Sequence, residues 1–149
     1  MSLPERLERA GITLPEVAKP VAAYIPARIV GDQVWTSGQL PVVQGQLPRT
    51  GHVGAEVTLE DAASDARQAA LNGLAAIGSV VDLAKVARVL KVTVFVNSDP
   101  SFTDQAKVAN GVSELLGELF DEAHVRSAVG VATLPLGAPV EVELVAELA

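Results

Sequence analysis

The chain has no cysteine among its 149 residues. That excludes disulfides, thiolate nucleophiles and cysteine-ligated metals. Aromatic residues are scarce at 3 % against 49 % hydrophobic, so the core has to be built from Val, Leu, Ile and Ala. Histidine occurs twice, at His52 and His124, with no clustered Asp or His around either, and no metal site is expected. Basic residues are outnumbered, 11 Lys and Arg against 18 Asp and Glu, for a net charge of −7 and a pI near 4.7. A nucleic-acid or anionic-membrane surface needs a basic patch, so neither is an expected partner. A small anionic ligand stays compatible, because one local arginine outweighs distant charge. No run of roughly 18 uncharged apolar residues occurs, so no transmembrane helix is expected; Asp82, Lys85, Arg88 and Lys91 interrupt the most apolar region. The start, Met1 to Arg9, lacks a basic stretch followed by an apolar one. It does not read as a secretory signal, and the cytoplasm is the expected compartment.

What is present fits one domain with a single core. A short helical turn over Leu3–Ala10 is ended by Gly11 and followed by an extended, Pro-containing lead-in. Over residues 21–41 a hairpin is expected, with Ile29-Val30 and Val34-Trp35-Thr36 flanking a Gly31-Asp32 turn. Residues 42–57 read as a loop rich in Gly and Gln. Thr58 with Asp61 resembles a capping box, and Ala63, Ala66, Ala70, Leu74, Ile77 and Val81 recur at helical spacing. Val86–Val96 reads as a strand buried on both faces. Ser101 with Asp104 offers a second cap, ahead of the stripe Val108, Val112, Leu115, Leu116 and Leu119. Two strands close the chain, about 125–134 and 139–148. The order β-β-α-β-α-β-β predicts an α+β architecture: two helices on one face of a mostly antiparallel or mixed sheet. No third helix is available for the other face. With a mean hydropathy of +0.34, high for a soluble monomer, that face is expected to pack against other subunits in a closed homo-oligomer.

Arg126 is the residue with most to say. It stands near the start of the apolar run Val125-Arg126-Ser127-Ala128-Val129-Gly130-Val131-Ala132, where a guanidinium is costly to desolvate unless paired. Its planar fork matches a carboxylate. Two partners fit: the carboxylate of a ligand, or one of the chain's own Glu residues. Four other positions carry a similar choice. Tyr24 reads as boundary packing or as a cleft aromatic. Gly38, in Ser37-Gly38-Gln39, reads as a strand-end turn or as a place where backbone approaches a ligand closely. Asn110 reads as a solvated helix residue or a site residue, and Glu141 as a surface carboxylate or a site acid.

Taken together, two segments carry a resemblance. Val34-Trp35-Thr36-Ser37-Gly38-Gln39-Leu40-Pro41, and Arg126 through Leu134-Pro135 on to Val140-Glu141-Val142-Glu143, resemble the reactive-intermediate deaminase family (RidA, or YjgF-like), some of whose members are described as endoribonuclease L-PSP-like. Lys91-Val92-Thr93-Val94-Phe95-Val96 and the helix after it fit the same pattern. The resemblance runs from about residue 20 to the end, so residues 1–20 are expected to be an extension on a 21–149 domain. It implies a chorismate-mutase-like fold of the bacillus type, assembled as a homotrimer with ligand clefts between subunits. It implies hydrolysis of 2-imino or enamine acids to 2-oxo acids and ammonia, without cofactor or metal. Non-catalytic binding of a small carboxylate, or ribonuclease or translation-inhibitor activity, are the alternatives it carries. By the same resemblance Arg126 matches the arginine that grips the substrate carboxylate and Glu141 the glutamate that handles water. Tyr24, Ser37, Gly38, Asn110 and Ala128 match positions lining the cleft. There are departures. Ala128 stands where many deaminase members carry Cys, Gly130 where short members carry Glu, and Pro26-Ala27 where a more polar pair follows the tyrosine. They mark a divergent, longer subgroup whose cleft differs in size and polarity around the reacting carbon.

Overall fold

The computed structural model describes residues 1–19 and 23–149. The junction expected at residues 20–21, and the first residues of the 21–41 segment, lie outside the described residues. Gly31 closes the predicted hairpin: at φ +61 it adopts a conformation that side-chain-bearing residues disfavour. It joins β1 (Ala27–Val30) to β2 (Gln33–Thr36), with Val30 opposite Gln33. At the amino end α1 (Leu3–Arg9) has the reciprocal Ser2–Glu5 cap, buries Leu3 and Leu7, and pairs Arg6 with Asp121 at 2.6 Å.

The long helix α2 (Leu59–Gly78) starts where Thr58 Oγ1 accepts from the Asp61 N–H at 3.1 Å. Ala66, Ala70, Leu74 and Ile77 of the expected stripe are fully buried. Ala62, Ala69 and Ala76 are buried as well, because α2 meets the sheet on one side and α3 (Gln105–Leu119) on another. Ala63 is only partly buried, and Val81 falls beyond the helix end. The helices approach closely at Gly111, where a Cβ would stand 2.1 Å from the Ala63 carbonyl oxygen. The cap expected at Ser101 is not formed. Ser101 bonds Asp99 through both its N–H and its hydroxyl, so α3 begins one turn later behind Asp104, which makes no side-chain cap.

Three more strands complete one mixed sheet: β3 (Val86–Asn97), β4 (Val125–Val131) and β5 (Val140–Leu148). The order is β1-β2-β5-β3-β4, antiparallel throughout except for the parallel β3–β4 pair. β4 stops at Val131 rather than near residue 134, because its partner β3 ends at Asn97, opposite Val131, and leaves nothing further to pair. Alternation along β5 is as predicted. Val140, Val142, Leu144 and Ala146 are buried beneath the helices, while Glu141, Glu143, Val145 and Glu147 occupy the other face. That second face carries no helix or strand among the described residues, and leaves Trp35 52 % and Val129 42 % exposed. Among the described residues no helix is long and apolar enough to cross a membrane.

Candidate functional site

The sequence-predicted residues fall into two groups on opposite faces of the sheet. One gathers around Glu141. β5 presents Glu141 on the open face, opposite Phe95 of β3. The segment after β2 runs beside it, held by Gln39 and Val142, whose backbones bond each other at 2.8 and 2.9 Å. Gly38 lies in that segment, and a Cβ there would sit 2.0 Å from Glu141 Oε1. Its φ lies outside the left-handed region, so turn geometry does not require the glycine. The space it leaves is filled by the Glu141 carboxylate. Ser37 Oγ donates to the Ile25 carbonyl at 2.6 Å and its N–H to the Pro26 carbonyl at 2.8 Å. These bonds fix the stretch carrying Tyr24, which is 46 % exposed. Tyr24, Trp35 and Ser37 line an open groove of about 400 Å³. Burial raises the Glu141 carboxyl above its ordinary value, and the neighbouring Glu143 charge raises it further.

The second group gathers around Arg126 on the edge strand β4. Arg126 is in register with Val92, so its side chain lies on the helix side and reaches α3. Nη1 donates to Asn110 Oδ1 at 2.8 Å and to Ser113 Oγ at 3.0 Å, and Nη2 donates to the Ala106 carbonyl at 3.1 Å. Ala106, Asn110 and Ser113 lie on one face of α3 by the i, i+4, i+7 rule. No carboxylate stands within ion-pair distance of Arg126 among the described residues. The internal ion pair weighed as one reading of this arginine is therefore not found there. Ala128, two residues on and on the same side of β4, packs half-buried against the core.

Arg126 and Glu141 do not meet within one chain. Glu141 aligns through Phe95 with Val129, three residues beyond Arg126. The two Cα atoms are thus about 14 Å apart in the plane of the sheet, with their side chains on opposite faces.

The family described as "YjgF/chorismate mutase-like, putative endoribonuclease" matches residues 4–148. The chain belongs to this YjgF/RidA-like family. Protein TCP17 of Trypanosoma cruzi is 44 % identical over 146 residues, covering 95 % of this chain and 91 % of that protein. A 2-iminobutanoate/2-iminopropanoate deaminase of Escherichia coli K12 is 34 % identical over 126 residues, covering 85 % of this chain and 88 % of its own. Among solved structures, protein Atu1372 of Agrobacterium tumefaciens, of unknown function, superposes with a TM-score of 0.89 at 38 % identity, over 99 % of this chain and 92 % of the other. Escherichia coli TdcF, solved with bound serine, superposes with a TM-score of 0.69 at 26 % identity, over 90 % and 94 %. The chorismate-mutase-like α+β fold expected from the resemblance agrees with these neighbours, and imine deaminases are among the relatives of this RidA-like chain.

Three polar groups beside these residues were not singled out from sequence. Ser113 is one helical turn from Asn110, and that i+3 spacing was the available signal. His124 is two residues before Arg126, immediately ahead of β4. Its Nε2 lies 2.8 Å from Ser113 Oγ, and burial first, then the Arg126 charge, lowers its pKa. Glu143 follows Glu141 at strand period two and acts on it by charge.

Proposed function

We propose that this chain hydrolyses small 2-imino acids to 2-oxo acids and ammonia, with Arg126 holding the substrate carboxylate and Glu141 handling the attacking water. The observation that carries this reading is a half-buried guanidinium held by neutral acceptors, with no carboxylate partner among the described residues. Family membership supplies the class of reaction, and the serine bound to TdcF is a small carboxylate of the right kind.

In the proposed reaction Glu141 takes a proton from water as its oxygen bonds to C2 of the protonated imine. The resulting carbinolamine carries OH and NH₂ on one carbon. Proton transfer to that nitrogen makes ammonia the leaving group, the C–N bond breaks, and the hydroxyl proton is released as the C2 carbonyl forms. No electrons enter or leave, so the step needs no redox partner. Holding the carboxylate and aiming the water contributes several kcal/mol by positioning, on the order expected for oriented reactants.

Because the two residues lie on opposite faces in one chain, the proposed cleft is composite. The β4 edge of one copy, with Arg126, Asn110 and Ala128, faces the Tyr24, Ser37, Gly38 and Glu141 group of the next, in a closed trimer. The uncovered sheet face with exposed Trp35 and Val129 supports such an assembly.

The test is an imine-loss assay. An amino-acid oxidase generates 2-imino acids in the presence of semicarbazide as competitor. Wild type is expected to accelerate imine loss, and Arg126→Ala to lower kcat/KM by about 10²–10³-fold, the worth of a charge-assisted carboxylate contact. Equal rates for the two proteins would refute the assignment. Binding of a 2-oxo acid without turnover on any substrate would leave a carboxylate-binding protein instead.

The proposed base has a pH signature. Glu141 must be ionised to take a proton, and its raised pKa moves the acid limb of kcat upward from where an unperturbed glutamate would put it. Glu143→Gln removes a repelling charge, so Glu141 stays ionised to lower pH. The acid limb is expected to move to lower pH, read from a kcat–pH profile. An unmoved limb, or a shift upward, would contradict Glu141 as the base.

A further inference from the structure

A chain of hydrogen bonds stands behind Arg126, running from its guanidinium through Ser113 to His124. Nη1 of Arg126 donates to Ser113 Oγ at 3.0 Å, so that oxygen is an acceptor there. The hydroxyl's own proton is then free to go to His124 Nε2, 2.8 Å away. In that arrangement the imidazole accepts at Nε2 and keeps its proton on Nδ1; the reverse tautomer would donate from Nε2 to the second lone pair of Ser113 Oγ and join the same three residues. Burial, and then the nearby guanidinium, lowers the His124 pKa and so favours the neutral ring that can accept there.

Counting donors shows what the arrangement achieves. A guanidinium has five N–H groups. Both on Nη1 are committed, to Asn110 and Ser113, and one on Nη2 to the Ala106 carbonyl. Two remain among the described residues: Nε–H and one on Nη2. They sit on adjacent nitrogens, where a carboxylate is taken in two-point fashion. Rotation about the last side-chain bonds would scramble this choice. Two acceptors on one nitrogen, on successive turns of a rigid helix, oppose that rotation. Asn110 was expected from the family resemblance; Ser113 and His124 were not.

We propose that Ser113 and His124 are positioning residues for carboxylate recognition: His124, acting through Ser113, fixes the rotation of the Arg126 guanidinium so that Nε–H and one Nη2–H are left for the ligand. The inference rests on the carboxylate role proposed for Arg126. It is separate from the deaminase reaction itself, since a non-catalytic binding protein would use the same device.

The experiment measures binding of pyruvate, as a 2-oxo acid probe, and of pyruvamide, its uncharged counterpart, by calorimetry. Each variant's KM and kcat in the imine assay are measured beside it. Ser113→Ala and His124→Leu are each expected to weaken pyruvate binding and raise KM about tenfold, the size of one charge-assisted hydrogen bond, with kcat changed less than about twofold because the reacting carbon is untouched. The double variant is expected to be no weaker than either single one, because the two act in series. His124→Gln, which returns an acceptor near the Nε2 position, is expected to recover most of the affinity. Pyruvamide binding should be the same in all of them. A general packing defect would instead lower affinity for both probes, add up in the double variant and resist rescue, and would overturn the proposal. Unchanged pyruvate affinity in Ser113→Ala and His124→Leu, with Arg126→Ala impaired, would overturn it while leaving the role of Arg126 intact. Wild type that takes no pyruvate and turns over no imine would overturn both.

Discussion

Arg126→Ala and Glu141→Gln subunits, each nearly inactive alone, are expected to regain activity when denatured together and refolded, if the proposed composite cleft of a closed trimer holds. The reason is geometric. In one chain the two side chains point to opposite faces of the sheet, so a cleft using both must draw them from different copies. In a closed ring of three, a cleft is intact when the copy giving Arg126 carries the Glu141 change and its neighbour carries the Arg126 change. Random assembly from equal amounts makes about one quarter of the clefts intact. Imine hydrolysis near that fraction of wild type, rising from about 1 % or less for each parent, is the expected result. The recovery is hard to mimic by a stability effect, because neither parent contributes a complete site. Mixed trimers as inactive as their parents would mean that the two residues do not share a cleft, and the composite site would be abandoned.

Gly38→Ala should silence the protein while leaving it folded. The added Cβ would stand 2.0 Å from Glu141 Oε1 and 2.8 Å from its Cδ, well inside van der Waals contact. One of the two must move. The backbone at Gly38 is pinned: Gln39 is paired with Val142, and Asn72 of α2 donates to the Leu40 and Val42 carbonyls at 2.9 and 3.0 Å. The Glu141 side chain ends in rotatable bonds and can swing away. Alanine is compatible with the backbone at 38, where φ is not in the left-handed region. The cost in stability is therefore expected to be small, about 1 kcal/mol or less, as for a change absorbed by a flexible side chain. The cost in kcat is expected to be about 100-fold, as for a misplaced general base. Thermal unfolding and imine hydrolysis measured side by side check both halves. The double variant Gly38→Ala/Glu141→Gln should be no slower than Glu141→Gln alone, since the glycine acts only through the glutamate. Activity retained in Gly38→Ala, or losses that multiply in the double variant, would remove Glu141 from the reaction.

The contrast between these residues marks how far sequence reached. Period two along Val140-Glu141-Val142-Glu143-Leu144 put the glutamates on one face and the valines on the other, because a strand allows no other assignment once one face is apolar. Helical spacing put Val108, Val112, Leu115, Leu116 and Leu119 under α3 for the same kind of reason. The hairpin at Gly31-Asp32 was legible because few residues tolerate its dihedral angles. The Ser101 cap was misjudged because Asp99, two residues earlier, competes for the same donor and hydroxyl, and local spacing does not rank the two partners.

By itself the sequence determined the element order, the buried faces, the absence of thiol chemistry and, through Arg126 and Glu141 in their segments, the family. Those are properties of short-range pattern, read within one helix turn or one pair of strand residues. The tertiary structure decided what pattern cannot encode: that Arg126 faces α3 while Glu141 faces the open side, that Ser113 and His124 stand behind the guanidinium, and that Gly38 is small to make room for a carboxylate 103 positions away. Each depends on strand register and on which helix covers which edge. Those choices are made by packing the whole sheet at once, and a shift of one residue in β4 would have reversed the face on which Arg126 lies.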